Sequence, residues 1–291
     1  MTPNPMPGVY VDEPATLPVG VLVCVPGVNS GPYIFDGARA LADRWRVVRV
    51  TPPGADGVPM PLPFTVKAYA QMVAKVIESQ RIDGVPLVLL GHSLGGYAAQ
   101  EVARVLGHGV DRLILVSTSR GQPDTARDVM QMQSKLGQNF WAFGQEVAKD
   151  APTAMKPLFG EHFVVHEAAR YHAFLAERAR HVPPASASAA QLAAGGAFSS
   201  RGWVHTLSLP TLVVHGLDDI LVTPESGQAL AASLPHGHWL PLQGIGHHPP
   251  VEHDRFWDYV RRFAEGQDLG EPVLPKPNLW ARMKDFLGRS G

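Results

Sequence analysis

Val85-Pro86-Leu87-Val88-Leu89-Leu90-Gly91-His92-Ser93-Leu94-Gly95-Gly96 is the stretch on which the reading of this chain turns. Its first half is a short apolar run ending at glycine, the pattern of a strand buried on both faces. Its second half matches G-x-S-x-G, and the residues from Leu94 to Leu106 read as a helix. A chain that passes from strand to helix so abruptly crowds its own backbone. Gly91, Gly95 and Gly96, followed by Ala98 and Ala99, omit the side chains such a turn cannot hold. Ser93 is therefore expected above the strand end, beside helix N–H groups that favour developing negative charge.

Outward from this turn the same alternation repeats. Val19–Val25, Trp45–Val50, Arg112–Val116, Thr211–His215 and His238–Leu242 read as further strands, with Pro241 placing the last at an edge or strand end. Thr65 to Arg81 has apolar residues at Val66, Tyr69, Ala70, Val73, Val76 and Ile77, a 3.6-residue period with Thr65 as the N-cap. Glu225 to Leu234 reads as another crossover helix. Strands alternating with helices predict an α/β fold, a doubly wound, mostly parallel sheet. Residues 119 to 208 break the pattern with helical stretches and no clear strand, and are expected to be an inserted helical lid. The expected core is then residues 1–118 and 209–267, with residues 268–291 as a C-terminal tail.

A serine hydroxyl is a weak nucleophile at neutral pH and needs a base, which in turn needs an orienting acid. The order to look for after this turn is acid, then histidine. Gly216-Leu217-Asp218-Asp219 follows one strand and offers two carboxylates. Gly244-Ile245-Gly246-His247-His248-Pro249-Pro250 follows the next and offers two imidazoles. Both loops fall at the C-terminal edge of the sheet, where open α/β sheets bind ligands.

With these residues in place, the chain resembles members of the α/β-hydrolase fold superfamily, over about residues 19 to 265 outside the lid. The resemblance implies Asp219, at the last position of G-x-x-D, as the acid and His247, in the G-H pair, as the base. Asp218 and His248 are then neighbours. A serine nucleophile sets the chain apart from the haloalkane dehalogenase, epoxide hydrolase and dienelactone hydrolase branches and leaves esterase-like chemistry. The oxyanion hole is expected from the backbone N–H groups of Leu94 and Val28, the latter in Pro26-Gly27-Val28-Asn29, where many relatives have His-Gly. Substrate contacts are expected from Asn29, His92, Met60 in the proline-rich loop Thr51–Phe64, and Trp141 and Phe143 in the lid. Phe159, Tyr171, Phe174 and Leu175 add to the lid's large apolar groups, which suits a hydrophobic acyl or aromatic substrate.

The expected function is a serine hydrolase that cleaves a carboxylic ester of a small to medium hydrophobic substrate through an acyl-enzyme on Ser93. The same triad also serves an acyltransferase or a thioesterase of a biosynthetic pathway. A reading from another class is a hydrolase-like ligand receptor with little turnover, against which the complete set Ser93, Asp219 and His247 argues.

Composition narrows the partners. Lys+Arg number 25 and Asp+Glu 26, a formal charge of -1, so no field gathers phosphates and nucleic acid is not an expected partner. The single Cys24 sits in an apolar run and reads as a small core residue in a reducing cytoplasm. No apolar stretch approaches the ~18 residues of a membrane span, and the N-terminus lacks a basic or apolar leader. No cofactor is expected, since neither G-x-G-x-x-G nor G-x-x-x-x-G-K-[ST] occurs. No metal is expected either: His166-Glu167-Ala168-Ala169-Arg170 puts arginine where H-E-x-x-H requires its second imidazole. In the tail, Leu279, Trp280, Met283, Phe286 and Leu287 form one helical stripe, expected to dock on the chain's own body or on a partner subunit in a homodimer.

Overall fold

Successive strand residues point to opposite faces, and here both faces are apolar. Leu22, Cys24, Val88, Leu90, Ile114, Val116, Leu212 and Val214 belong to one buried layer, while Val21, Val23, Val25, Leu87, Leu89, Leu113, Leu115 and Val213 belong to the other. A sheet with two apolar faces must be covered on both, which is why helices flank it. A computed structural model describes residues 6–270 of the chain. The stripe at residues 278–287, and with it the expected dimer contact, lies outside the described residues.

The strands are β1 (Val9–Asp12), β2 (Val21–Val25), β3 (Arg46–Val50), β4 (Leu87–His92), β5 (Arg112–Val116), β6 (Thr211–Gly216) and β7 (Gly237–Leu242). They form one seven-stranded sheet in the order β1-β3-β2-β4-β5-β6-β7. All neighbours run parallel except β1, which pairs antiparallel with β3. The six strands expected from the sequence are present, and β7, which carries Pro241, is the edge. β1 escaped the sequence reading because it is four residues long, only half-buried, and flanked by prolines. Its anchor is electrostatic as well: the buried Arg49 on β3 holds Asp12 at 2.9 Å.

The helices are α1 (Val66–Gln80), α2 (Leu94–Leu106), α3 (Asp124–Leu136), α4 (Phe140–Lys149), α5 (Ala151–Ala154), α6 (Glu161–His166), α7 (Ala168–Arg180), α8 (Ala185–Ala197), α9 (Pro224–Ser233), α10 (Pro249–Glu252) and α11 (Phe256–Ala264). Thr65 caps α1 as expected, its hydroxyl accepting the Ala68 N–H at 3.0 Å. Helices α1, α2 and α9 supply the second layer, while α11 and the 3₁₀ stretch Pro32–Leu41 supply the first. Helices α3 to α8 lie between β5 and β6, in the interval that the sequence leaves without strands. β2 is followed in space by β3 on one side and β4 on the other. The sheet therefore reverses its winding between β2 and β4, and the loops after these strands open a crevice at that point.

Candidate active site

β4 runs two residues beyond the apolar stretch, through Gly91 and His92, because Gly91 pairs with Val25 and His92 with Val116. Ser93 then turns the chain into α2 with φ 54° and ψ -120°. A side chain at positive φ is strained, and the surroundings hold it there. The Ser93 N–H donates to Val116 O at 2.9 Å, and Thr118 Oγ1 donates to Ser93 O at 2.9 Å. The glycines are required by close approach: a Cβ on Gly91 would lie 2.4 Å from Gly95 O, and one on Gly95 would lie 2.1 Å from Val25 O. Neither backbone oxygen can move aside.

The loop after β2 passes alongside the serine. A Cβ on Gly27 would sit 2.8 Å from the Ser93 Cβ. The carbonyl of Pro26 accepts the Tyr69 hydroxyl at 3.1 Å. Asn29 has φ 52°, its N–H donates to Gln191 Oε1 at 3.0 Å, and Gln191 Nε2 donates to Pro53 O at 2.9 Å. One buried side chain of α8 thus fixes both the loop after β2 and the loop after β3. The N–H groups of Val28 and Leu94 have no hydrogen-bond acceptor among the described residues.

Asp219 and His247 come together from the loops after β6 and β7. His247 Nδ1 lies 2.8 Å from Asp219 Oδ2, and Asp219 is fully buried. A carboxylate can only accept, so Nδ1 carries the proton and Nε2 is left with its lone pair. Asp219 Oδ1 accepts the N–H groups of Leu221 at 2.9 Å and Val222 at 3.1 Å. His215 stands behind it, with Nε2 3.3 Å from Asp219 Oδ2 and 2.8 Å from Val222 O, so that nitrogen also carries a proton. Burial alone would raise the Asp219 carboxyl, but the imidazoles of His247 and His215 and their hydrogen bonds outweigh it and hold the group well below the usual carboxylate range. Asp218 is exposed, its own carboxyl raised chiefly by partial burial.

The loop of His247 is tied to the turn at Ser93. His92 Nε2 lies 2.8 Å from the carbonyl of His247 and so donates to it. His92, expected among the substrate contacts, is 1% exposed and instead braces the backbone of His247. Burial, with His247 alongside, lowers its pKa to about 3. His248 packs against His92 at 5.4 Å and His247 at 5.2 Å between ring centroids, and burial lowers its pKa too. Both neighbours stay neutral at physiological pH.

The remaining expected contacts divide. Phe143 is 6% exposed and packed in the same buried cluster as Phe163 and Tyr171. Met60 packs with Ala187 of α8 around Gly54, where an added Cβ would lie 2.7 Å from the Met60 Cε. The side chain of Trp141 lies outside the described residues. Phe159 and Phe174, both among the large apolar groups that the sequence places in the lid, stand 4.8 and 5.3 Å from the ring of His248, the neighbour of His247, and Tyr33 stands 5.7 Å from Phe174. Their periodicity marks them only as apolar, because which apolar residue faces a site depends on how α7 crosses the sheet.

A family model described as alpha/beta hydrolase fold matches residues 20–254. A pimeloyl-[acyl-carrier protein] methyl ester esterase of Neisseria meningitidis is 27% identical over 254 residues, covering 85% of this chain and 77% of that protein. The polyketide synthase system protein NorC of Streptomyces orinoci is 34% identical over 110 residues, 36% of this chain but only 5% of that much longer protein. A thermophilic esterase from Thermogutta terrifontis superposes with a TM-score of 0.70 at 24% identity, over 89% of this chain and 93% of that one, a likeness of fold.

Proposed function

The chain belongs to the alpha/beta hydrolase fold family, and from that premise we propose that it is a serine ester hydrolase in which Ser93 attacks, His247 moves the proton and Asp219 holds the imidazole. The observation that carries the assignment is the 2.8 Å contact between Asp219 and His247 Nδ1, which leaves Nε2 as the acceptor. His247 takes the Ser93 proton as Oγ bonds to the ester carbonyl carbon. The oxyanion is received by the N–H groups of Val28 and Leu94. The tetrahedral intermediate collapses, the alcohol leaves with the proton held by His247, and the acyl group stays on Ser93. Water, deprotonated by His247, then attacks the acyl carbon, the bond to Ser93 Oγ breaks, and His247 returns the proton to Ser93 as the acid leaves.

Residues 119–208 act in this reading as a lid over the core of residues 1–118 and 209–267. Phe159, Phe174 and Tyr33 give the space beside the base an apolar character, which supports a small to medium hydrophobic acyl or aromatic group. Asn29, whose Oδ1 is buried without a partner among the described residues, is the polar contact proposed at its edge. Among the described residues no helix is long and apolar enough to cross a membrane. We place the protein in the cytoplasm, where its buried, unpaired Cys24 remains a thiol.

A second reading, acyl transfer or thioester cleavage by the same triad, draws on the partial match to a polyketide synthase system protein. Trapping of the acyl-enzyme by millimolar amine or thiol in preference to water would favour it. The primary test is intact-mass spectrometry after exposure to a fluorophosphonate. One adduct is expected on wild type and none on Ser93→Ala or His247→Ala. A folded wild type that stays unlabelled would favour a ligand receptor over an enzyme.

A further inference from the structure

Building on the assignment of His247 as the base, we propose that Glu252 is a positioning residue: its carboxylate clamps the backbone on both sides of His247 and ties that backbone to the segment between α5 and α6. Glu252 ends α10, five residues after the base, and is 6% exposed. Its Oε2 accepts the Gly246 N–H at 2.9 Å and the Gly160 N–H at 2.7 Å, while its Oε1 accepts the His248 N–H at 2.8 Å. The N–H between them, that of His247, donates to Leu158 O at 2.8 Å. The carbonyl of His247 is held by His92, the residue before the nucleophile.

The Gly246 N–H, the N–H and carbonyl of His247, and the His248 N–H therefore each have a fixed partner. With that backbone fixed, the base keeps only its side-chain torsions, and the bond to Asp219 sets the ring. Two glycines make the clamp reachable by one side chain. A Cβ on Gly160 would lie 1.9 Å from Gly244 O, and one on Gly246 would lie 2.4 Å from Leu158 O, so the two backbones touch. Converging N–H groups call for a carboxylate, since a glutamine has one acceptor oxygen and would turn an NH₂ toward the remaining donor. Burial pushes the Glu252 carboxyl up to about 7, against the pull of the three N–H groups. Above that pH the charged form, which accepts at both oxygens, predominates.

A residue that only held the fold together would change stability without touching the chemistry per folded molecule. The test is Glu252→Gln at pH 8, with fluorophosphonate labelling rate, kcat and KM for p-nitrophenyl butyrate, and melting temperature measured beside wild type. Displacement of a base by even a fraction of an ångström predicts that labelling rate and kcat fall together by about 10- to 100-fold while KM stays within about twofold. Wild-type labelling rate and kcat per folded molecule, with only the melting temperature lowered, would overturn the proposal. If the variant does not fold, amide exchange of wild type decides: Gly160, Gly246 and His248 are expected to be protected and to open together, and exchange at the rate of an open loop would overturn it. Failure of wild type itself to label would strike the serine-hydrolase reading instead, and leave the clamp to the exchange data.

Discussion

Asp219 shows how far a single residue's chemistry depends on what surrounds it. A lone buried carboxylate would take up a proton, yet four N–H donors converge on this one and keep it charged. Asp219→Asn can satisfy His247 only by offering its amide oxygen to Nδ1 or by turning the imidazole to the other tautomer, which places the proton on Nε2. Loss of the charge that stabilises the imidazolium is expected to lower kcat about 10,000-fold, the size of effect seen when the corresponding acid is neutralised in other serine hydrolases. Steady-state kinetics on a neutral ester check this, and an unchanged kcat would shift the role to another group. The sequence alone offers two carboxylates and two histidines here, and family resemblance picks one of each. Burial explains the choice: Asp219 is enclosed and Asp218 faces water. Glu252 gives no sequence signal at all, because an acid after two prolines reads as a helix start.

At the scale of elements, two contacts bind the segment between β5 and β6 to the loops around the nucleophile. Gln191 of α8 is the first, and Gln191→Leu strands the Asn29 N–H and the Pro53 carbonyl. Each buried group left unpaired costs about 1–3 kcal/mol. The expected result is a lower melting temperature and a fall in kcat larger than any rise in KM, because Asn29 adjoins the Val28 N–H proposed for the oxyanion. The second contact is His181 at the end of α7, whose Nδ1 lies 2.7 Å from Asp56 Oδ2 and whose Nε2 lies 3.2 Å from Glu177 Oε1. Partial burial lowers its pKa, but the hydrogen bonds to Asp56 and Glu177 outweigh this and raise it. A raised histidine contributes its stability below the unfolded value near 6.5 and loses it as pH rises through the folded value. The melting-temperature gap between wild type and His181→Gln is therefore expected to be wide at pH 5.5 and to narrow at pH 9. A gap that widens with pH would contradict the ion pair. The helices and strands that make this framework were legible in the sequence, since hydrophobic period and caps are local. The reach of Gln191 and His181 across the fold was not.

For the whole molecule, the strand order is what turns scattered loops into a site. Ser93 follows β4, Val28 follows β2, Asp219 follows β6 and His247 follows β7, and parallel pairing brings all four loops to one edge. In the proposed reading Phe159 and Phe174, packed against His248, and Tyr33 beside Phe174 line the approach to Ser93, so longer acyl chains should be preferred until the space is filled. Burial of a methylene is worth about 0.8 kcal/mol, hence roughly a fourfold gain in kcat/KM per carbon along a p-nitrophenyl ester series from acetate upward. A flat series would contradict an apolar acyl site at Phe159, Phe174 and Tyr33. By itself the sequence determined the α/β class, the six parallel strands and the turn that carries Ser93. These follow from period, glycine placement and chain order, which are properties of neighbours along the chain. The tertiary structure alone decided that His92 holds the carbonyl of His247, that Phe159 and Phe174 pack on His248, and that Glu252 accepts the N–H groups on both sides of His247. Each of those depends on packing between residues far apart in sequence, and no local pattern encodes which partner a buried polar or aromatic group will meet.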